Sequence, residues 1–194
     1  MASPLILAGQ TLQAGEGQGQ LSQYYGYADA NPTTVVAAVA TALSSVYTIP
    51  AGEPYAGAAY ELCCGGAGTW ASATPPALGL SMALNGTSFG NGQAGNISGS
   101  AFSASAAFCW EARFRLTCAD GVSSWRCRLL AVLTQTANQA LPGTAADNVV
   151  PVSCYNSQTA AVSSAITVAV FGKWGSTTGA PTITCDMTEF RKVA

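Results

Sequence analysis

An all-β fold, built as a sandwich of two antiparallel sheets, is predicted by three features of the sequence. Apolar and polar residues alternate over runs such as Leu78–Leu84 and Phe108–Cys118, which lines one face of a strand but would scatter the apolar residues around a helix. Turn chemistry separates the runs, at Ile49-Pro50-Ala51-Gly52, Thr74-Pro75-Pro76, Gly90-Asn91-Gly92 and from Gly175 to Pro181. No stretch has the spacing of an amphipathic helix, so the apolar faces of the strands have only each other to pack against.

In chain order, residues 1–30 read as an N-terminal arm. Gly15-Glu16-Gly17-Gln18-Gly19-Gln20 cannot build a core. Apolar groups flank it: Leu5, Ile6, Leu7 and Leu12 before, Tyr24, Tyr25 and Tyr27 after. These are candidate anchors that order against a neighbour, and the tyrosines could equally form a sugar-stacking platform. Residues 31–194 then make one sandwich domain, long enough to bury a core without a metal or disulfide staple.

Within that domain, strands are predicted over Thr34–Ala42, Tyr60–Gly65, Leu78–Leu84, Ile166–Trp174 and Thr182–Phe190. Leu78, Leu80, Met82 and Leu84 point inward and the strand ends at Asn85-Gly86. Gly65-Gly66-Ala67-Gly68 reads as a loop. The strongest pattern is a hairpin. Phe108, Trp110, Ala112, Phe114, Leu116 and Cys118 alternate with Cys109, Glu111, Arg113, Arg115 and Thr117. Asp120-Gly121 supplies the turn, and Val122–Thr134 returns with Trp125, Cys127, Leu129 and Ala131 on one side. A two-residue loop pairs Leu116 with Trp125, Phe114 with Cys127 and Ala112 with Leu129.

Composition narrows the function. Charged residues make up 8% of the chain and hydrophobic residues 49%, against a usual charged share of about 25%. Aliphatic and aromatic residues are too plentiful for disorder, and no apolar run reaches the ~18 residues of a membrane span. The outer surface must therefore be built from Ser, Thr, Asn, Gln, Gly and Ala, a composition suited to subunits covered by neighbours. A net charge of −2 offers no footprint for nucleic acid or an anionic membrane. The N-terminus lacks a basic n-region, so folding in the reducing cytoplasm is expected. Seven cysteines, odd in number and without a Cys-x-x-Cys, then read as small buried hydrophobes.

Catalysis and cofactors find little support. The chain has no histidine, which excludes Ser-His-Asp and Cys-His arrangements and leaves a zinc site without its usual ligands. No phosphate-binding glycine motif precedes a helix, and the carboxylates are scattered. We therefore expect no enzyme, no cofactor and no metal. Asn85-Gly86-Thr87 and Asn96-Ile97-Ser98 match the glycosylation pattern, which acts only in eukaryotic secretion. One polar feature stands apart: on the non-core face of the hairpin, Arg115 falls opposite Arg126 and Arg113 opposite Arg128. Four of the seven positive charges thus form one ladder, with Glu111 nearby. The ladder is either simply solvated or a contact to an anion or to carboxylates of a neighbouring subunit.

Three stretches carry a resemblance: Ile6-Leu7-Ala8-Gly9-Gln10-Thr11-Leu12 at the start, Tyr47–Gly52 with Ala56–Leu62, and Gly179–Cys185 through Phe190 and Lys192. They resemble small bacteriophage virion proteins with a tumour-necrosis-factor-like jelly roll, the first of them an opening common in actinobacteriophage structural proteins. The resemblance implies a jelly-roll β-sandwich, a homotrimer packed along a threefold axis, and a place on the virion assembled in the host cytoplasm. The leading expectation is a capsid decoration or head-fibre protein, gripping the major capsid protein or other virion proteins through its arm. A tail receptor-binding module for a host glycan is the alternative. A cytoplasmic carbohydrate-binding jelly roll is a third.

Overall fold

A computed structural model of the chain describes residues 23–27, 34–36, 38–71, 76–89, 95–97, 107–135 and 149–193. Every element among them is a strand, and the strands form two antiparallel sheets in a sandwich-like all-β fold. The larger sheet runs, edge to edge, β1 (Gln23–Tyr27), β14 (Met187–Lys192), β5 (Ala59–Thr69), β9 (Ala107–Cys118), β10 (Ser124–Gln135) and β11 (Val149–Thr159). Short β13 (Thr182–Thr184) continues the β14 side of β5 and pairs with β2 (Thr34–Val35). In the smaller sheet, β12 (Ile166–Trp174) and β6 (Leu78–Leu84) pair centrally. They are flanked by β3 (Thr41–Ala42) and β4 (Tyr47–Ile49) on one edge, and by β7 (Thr87–Ser88) and β8 (Gly95–Ile97) on the other. Among the described residues no helix is long and apolar enough to cross a membrane.

The inward alternates make one core. From the larger sheet come Phe108, Trp110, Phe114, Leu116, Trp125, Leu129 and Leu133; from the smaller, Leu78, Leu80, Met82, Leu84, Ile166, Val168, Val170 and Trp174. Each fully buried large side chain contributes about 1.5–3 kcal/mol. The indoles keep their hydrogen bonds: Trp110 donates to the Thr184 carbonyl (2.8 Å), Trp125 to that of Ala160 (2.8 Å) and Trp174 to that of Val35 (3.2 Å). Trp70, Phe108 and Trp174 pack against one another in tilted and edge-to-face contacts, and Tyr47, Phe190, Tyr60 and Trp125 link ring to ring elsewhere. Lys192 faces inward but is matched by Glu53 (3.4 Å) and lies over the Tyr55 ring. Tyr60 donates to the same carboxylate, and burial with that acid pushes its hydroxyl pKa up.

Several expectations are corrected. The hairpin alternation places the right residues inward, but the register is offset by two: Cys118 pairs with Trp125, Leu116 with Cys127 and Phe114 with Leu129. The cause is the turn. The Asp120 carboxylate accepts the backbone N–H groups of Val122, Ser123 and Ser124, while Gly121 takes φ +71° and the Ala119 N–H closes onto the Ser124 carbonyl. Four residues therefore lie inside the closing pair instead of two. Gly65–Gly68 is not a loop but the middle of β5, where the absent side chains let the β13–β14 connection come close. Thr34–Ala42 divides, because β2 pairs in the larger sheet and β3 in the smaller. Thr182–Phe190 breaks at Cys185-Asp186, whose Asp186 N–H bonds to the Gly65 carbonyl. Edge strand β11 had no expected counterpart. The cysteines are all free thiols; Cys64, Cys118, Cys127 and Cys185 are buried, while Cys109 is exposed.

Of the expected arm, Gln23–Tyr27 belongs to the larger sheet as β1, with Tyr24 opposite Arg191 and Tyr27 opposite Glu189, and a register shift between Tyr24 and Gly26. Leu5, Ile6, Leu7 and Leu12 lie outside the described residues.

Candidate functional site

The pleat sends every second residue of the larger sheet away from the core, and the antiparallel registers align those residues into rows. One row reads Arg191 (β14), Glu61 (β5), Arg115 (β9), Arg128 (β10) and Tyr155 (β11). The next holds Glu189, Cys63, Arg113 and Leu130, and the one beyond it Met187, Gly65, Glu111 and Val132. On the other side lie Thr117, Arg126 and Ser157. The four arginines singled out in the sequence do share this face and are all exposed. Their pairing differs from the expected ladder: Arg115 meets Arg128, Arg113 meets Leu130 and Arg126 meets Thr117, which follows from the two-residue offset at the Asp120 turn.

The compensating acid is Glu61, not Glu111. Glu61 is 7% exposed, and its carboxylate takes Arg191 Nη2 at 2.6 Å and Arg113 Nε at 3.7 Å. Arg191 also reaches Glu189 at 3.3 Å. A carboxylate at this depth needs such partners, since an unpaired buried charge is strongly unfavourable. The Cys63 thiol points at the same carboxylate; burial first, and then the Glu61 charge, raise its pKa. That keeps it a thiol and not a thiolate nucleophile.

Arg115, Arg126 and Arg128 form no ion pair among the described residues. Two unit charges at ~6 Å repel by about 0.7 kcal/mol in water, and by more once water is excluded. Between Arg115 and Arg128, therefore, the sheet presents guanidinium donors suited to an oxyanion that would relieve the repulsion. Hydroxyls of Thr117, Ser157 and Tyr155 lie at neighbouring positions of the same rows. Beside them stand three exposed apolar side chains, Leu130 and Val132 at 43% and Tyr155 at 61% exposure.

Sequence reasoning missed Glu61, Arg191 and Tyr155, because each joins the face only through pairings across strands distant in the chain. The one available signal was a lone acid, Glu61, inside an otherwise apolar run, Ala58 to Cys64. Among the described residues there is no cluster of three or more His, Cys, Asp or Glu that could hold a metal ion. No known protein family matches the chain, and no curated protein does.

Proposed function

We propose that the chain is a non-enzymatic structural subunit of a bacteriophage particle: a jelly-roll β-sandwich that assembles as a homotrimer and decorates the capsid or forms a head fibre. The observation that carries this reading is the strand order. Taking β1–β2, β3–β4, β5, β6, β7–β8, β9, β12 and β13–β14 as strands A to H in chain order, with β10 and β11 inserted between F and G, the sheets read A-H-C-F and B-G-D-E. This order agrees with the double Greek key of jelly rolls, an architecture of viral capsid and lectin domains, and so supports that reading. β10 and β11 extend sheet A-H-C-F beyond strand F. A charged content of 8% supports burial among copies, since an isolated domain of this size normally relies on surface charge to stay dispersed.

The alternative, a tail module that reads a host glycan, is favoured by one observation: exposed Tyr155 lies across from Arg128 and beside the other arginines, a pairing of ring and cation suited to an acidic sugar. Quantitative mass spectrometry of gradient-purified particles separates the readings. Copies in the hundreds are expected for the capsid role and a handful for the tail. Absence from the particle overturns both. Sedimentation of the purified chain should give about three times the 19.6 kDa protomer mass; a stable monomer at micromolar concentration would remove the trimer.

A further inference from the structure

We propose that the exposed face of β9, β10 and β11 docks a protein surface that carries carboxylates beside apolar side chains. Arg115 and Arg128 would grip one carboxylate between them, and Leu130, Val132 and Tyr155 would be covered alongside. The inference deepens the assembly reading and rests on it for the existence of a partner.

Charge complementarity identifies the occupant. Arg115 and Arg128 stand directly opposite each other with no ion pair among the described residues, and Arg126 stands two residues along the same strand. Glu61 lies opposite Arg115 in the register but makes its ion pairs with Arg191 and Arg113. A carboxylate on a partner would fill the place between Arg115 and Arg128. A second copy presenting this same face would set arginine against arginine, so the occupant is a different surface. A phosphate polymer fits less well, because it would leave Leu130 and Val132 uncovered and would meet Glu111 opposite Val132. Arginine and tyrosine beside aliphatic side chains is instead the composition that protein interfaces concentrate. The size also fits. Three strands, β9 to β11, at ~4.8 Å spacing and ~36 Å length present about 520 Å², the size per partner of a small, transient interface.

The full chain can be titrated into a fluorescently labelled peptide of alternating glutamate and leucine, read by anisotropy. Binding should weaken as salt rises from about 0.05 to about 0.3 M. The double variant R115Q/R128Q should bind about tenfold more weakly or worse, and L130S/V132S about threefold more weakly. Lys173→Gln, on the smaller sheet, should leave affinity unchanged. Circular dichroism checks that each variant is folded, as expected for outward-facing positions. Polyphosphate of matched charge is the competing probe. If it binds as tightly and L130S/V132S has no effect on either probe, the face reads phosphate and the proposal is wrong. It is equally wrong if the peptide does not bind, or binds R115Q/R128Q as well as the unaltered chain. Because the sample is the isolated chain, failure here leaves the particle assignment standing, and absence from particles leaves a positive titration standing.

Discussion

Gly66 is the position where a single methyl group should do most damage. A Cβ built there would lie 2.2 Å from the Thr184 carbonyl oxygen, 2.9 Å from its carbon and 3.1 Å from the Asp186 nitrogen. All three are backbone atoms, so no side chain can swing aside. The same Thr184 oxygen accepts the Trp110 indole N–H at 2.8 Å, and the Asp186 N–H donates to the Gly65 carbonyl at 2.8 Å. Gly66→Ala must therefore push the β13–β14 connection off β5. Overpacking costs about 1–3 kcal/mol, and an orphaned indole donor adds about 1–3 kcal/mol. The expected loss is on the order of 3–5 kcal/mol, a large part of a stability of ~5–15 kcal/mol. Urea titration at fixed protein concentration, followed by tryptophan fluorescence, should show the midpoint fall by about 1–5 M for a slope of ~1–3 kcal/mol/M. Ala67→Ser, on the exposed face of the same strand, should stay within about 0.5 kcal/mol. A Gly66→Ala protein within about 1 kcal/mol of the parent would refute the close approach.

Two further outcomes follow from the hairpin. Phe114 is 0% exposed in the centre of β9, and Phe114→Ala should cost about 3–5 kcal/mol in the same urea assay, with a value under about 1 kcal/mol contradicting its burial. Asp120 accepts three backbone N–H groups, which lower its carboxyl pKa. Its charge therefore stabilises the fold above the ordinary Asp value of about 3.9, and that contribution is lost as pH falls through the lower folded value. The melting-temperature gap between the parent and Asp120→Asn should close between about pH 5 and about pH 2, and a gap unchanged at the lower pH would exclude the charge as its source.

What the sequence could and could not reveal follows from what alternation encodes. A period of two fixes which face a residue joins, so Phe108, Trp110, Ala112, Phe114, Leu116 and Cys118, with Trp125, Cys127, Leu129 and Ala131, all turn inward as expected. Alternation says nothing about which residue sits opposite, since a slip of two preserves every face. Here the Asp120 carboxylate settles the register by holding a longer turn. Strand β11 escaped notice for a related reason: opposite the core positions Trp125, Cys127 and Leu129 it places Gln158, Asn156 and Cys154, and it contains Pro151, which an edge strand tolerates. Gly65 to Gly68 misled because glycine signals both turns and close packing, and only the position of the β13–β14 connection separates the two. The arginine ladder was legible as a face but not as a network, because Glu61 and Arg191 meet Arg113 through three strands that are neighbours only in space.

The placement of charge bears on how such a subunit would find its position in an assembly. Five arginines and three glutamates, half of the chain's sixteen charged residues, lie on the outer face of the larger sheet. That face is net positive while the whole chain carries −2. Electrostatic complementarity contributes orientation and partner choice more than raw affinity. With half of the chain's charges on it, this sheet face is where an orienting field would be concentrated. The strands that supply most of its free valence, β10 and β11 with Arg126, Arg128, Leu130, Val132 and Tyr155, are the two that lie outside the eight-strand order of the proposed jelly roll. The proposed jelly roll thus needs neither of them for its core order, and their addition widens one face and places there Arg126 and Arg128, which form no ion pair among the described residues. The proposed docking role would use both sides of this hairpin: Trp125 and Leu129 are buried and fix it to the core, while its exposed arginines would orient the partner.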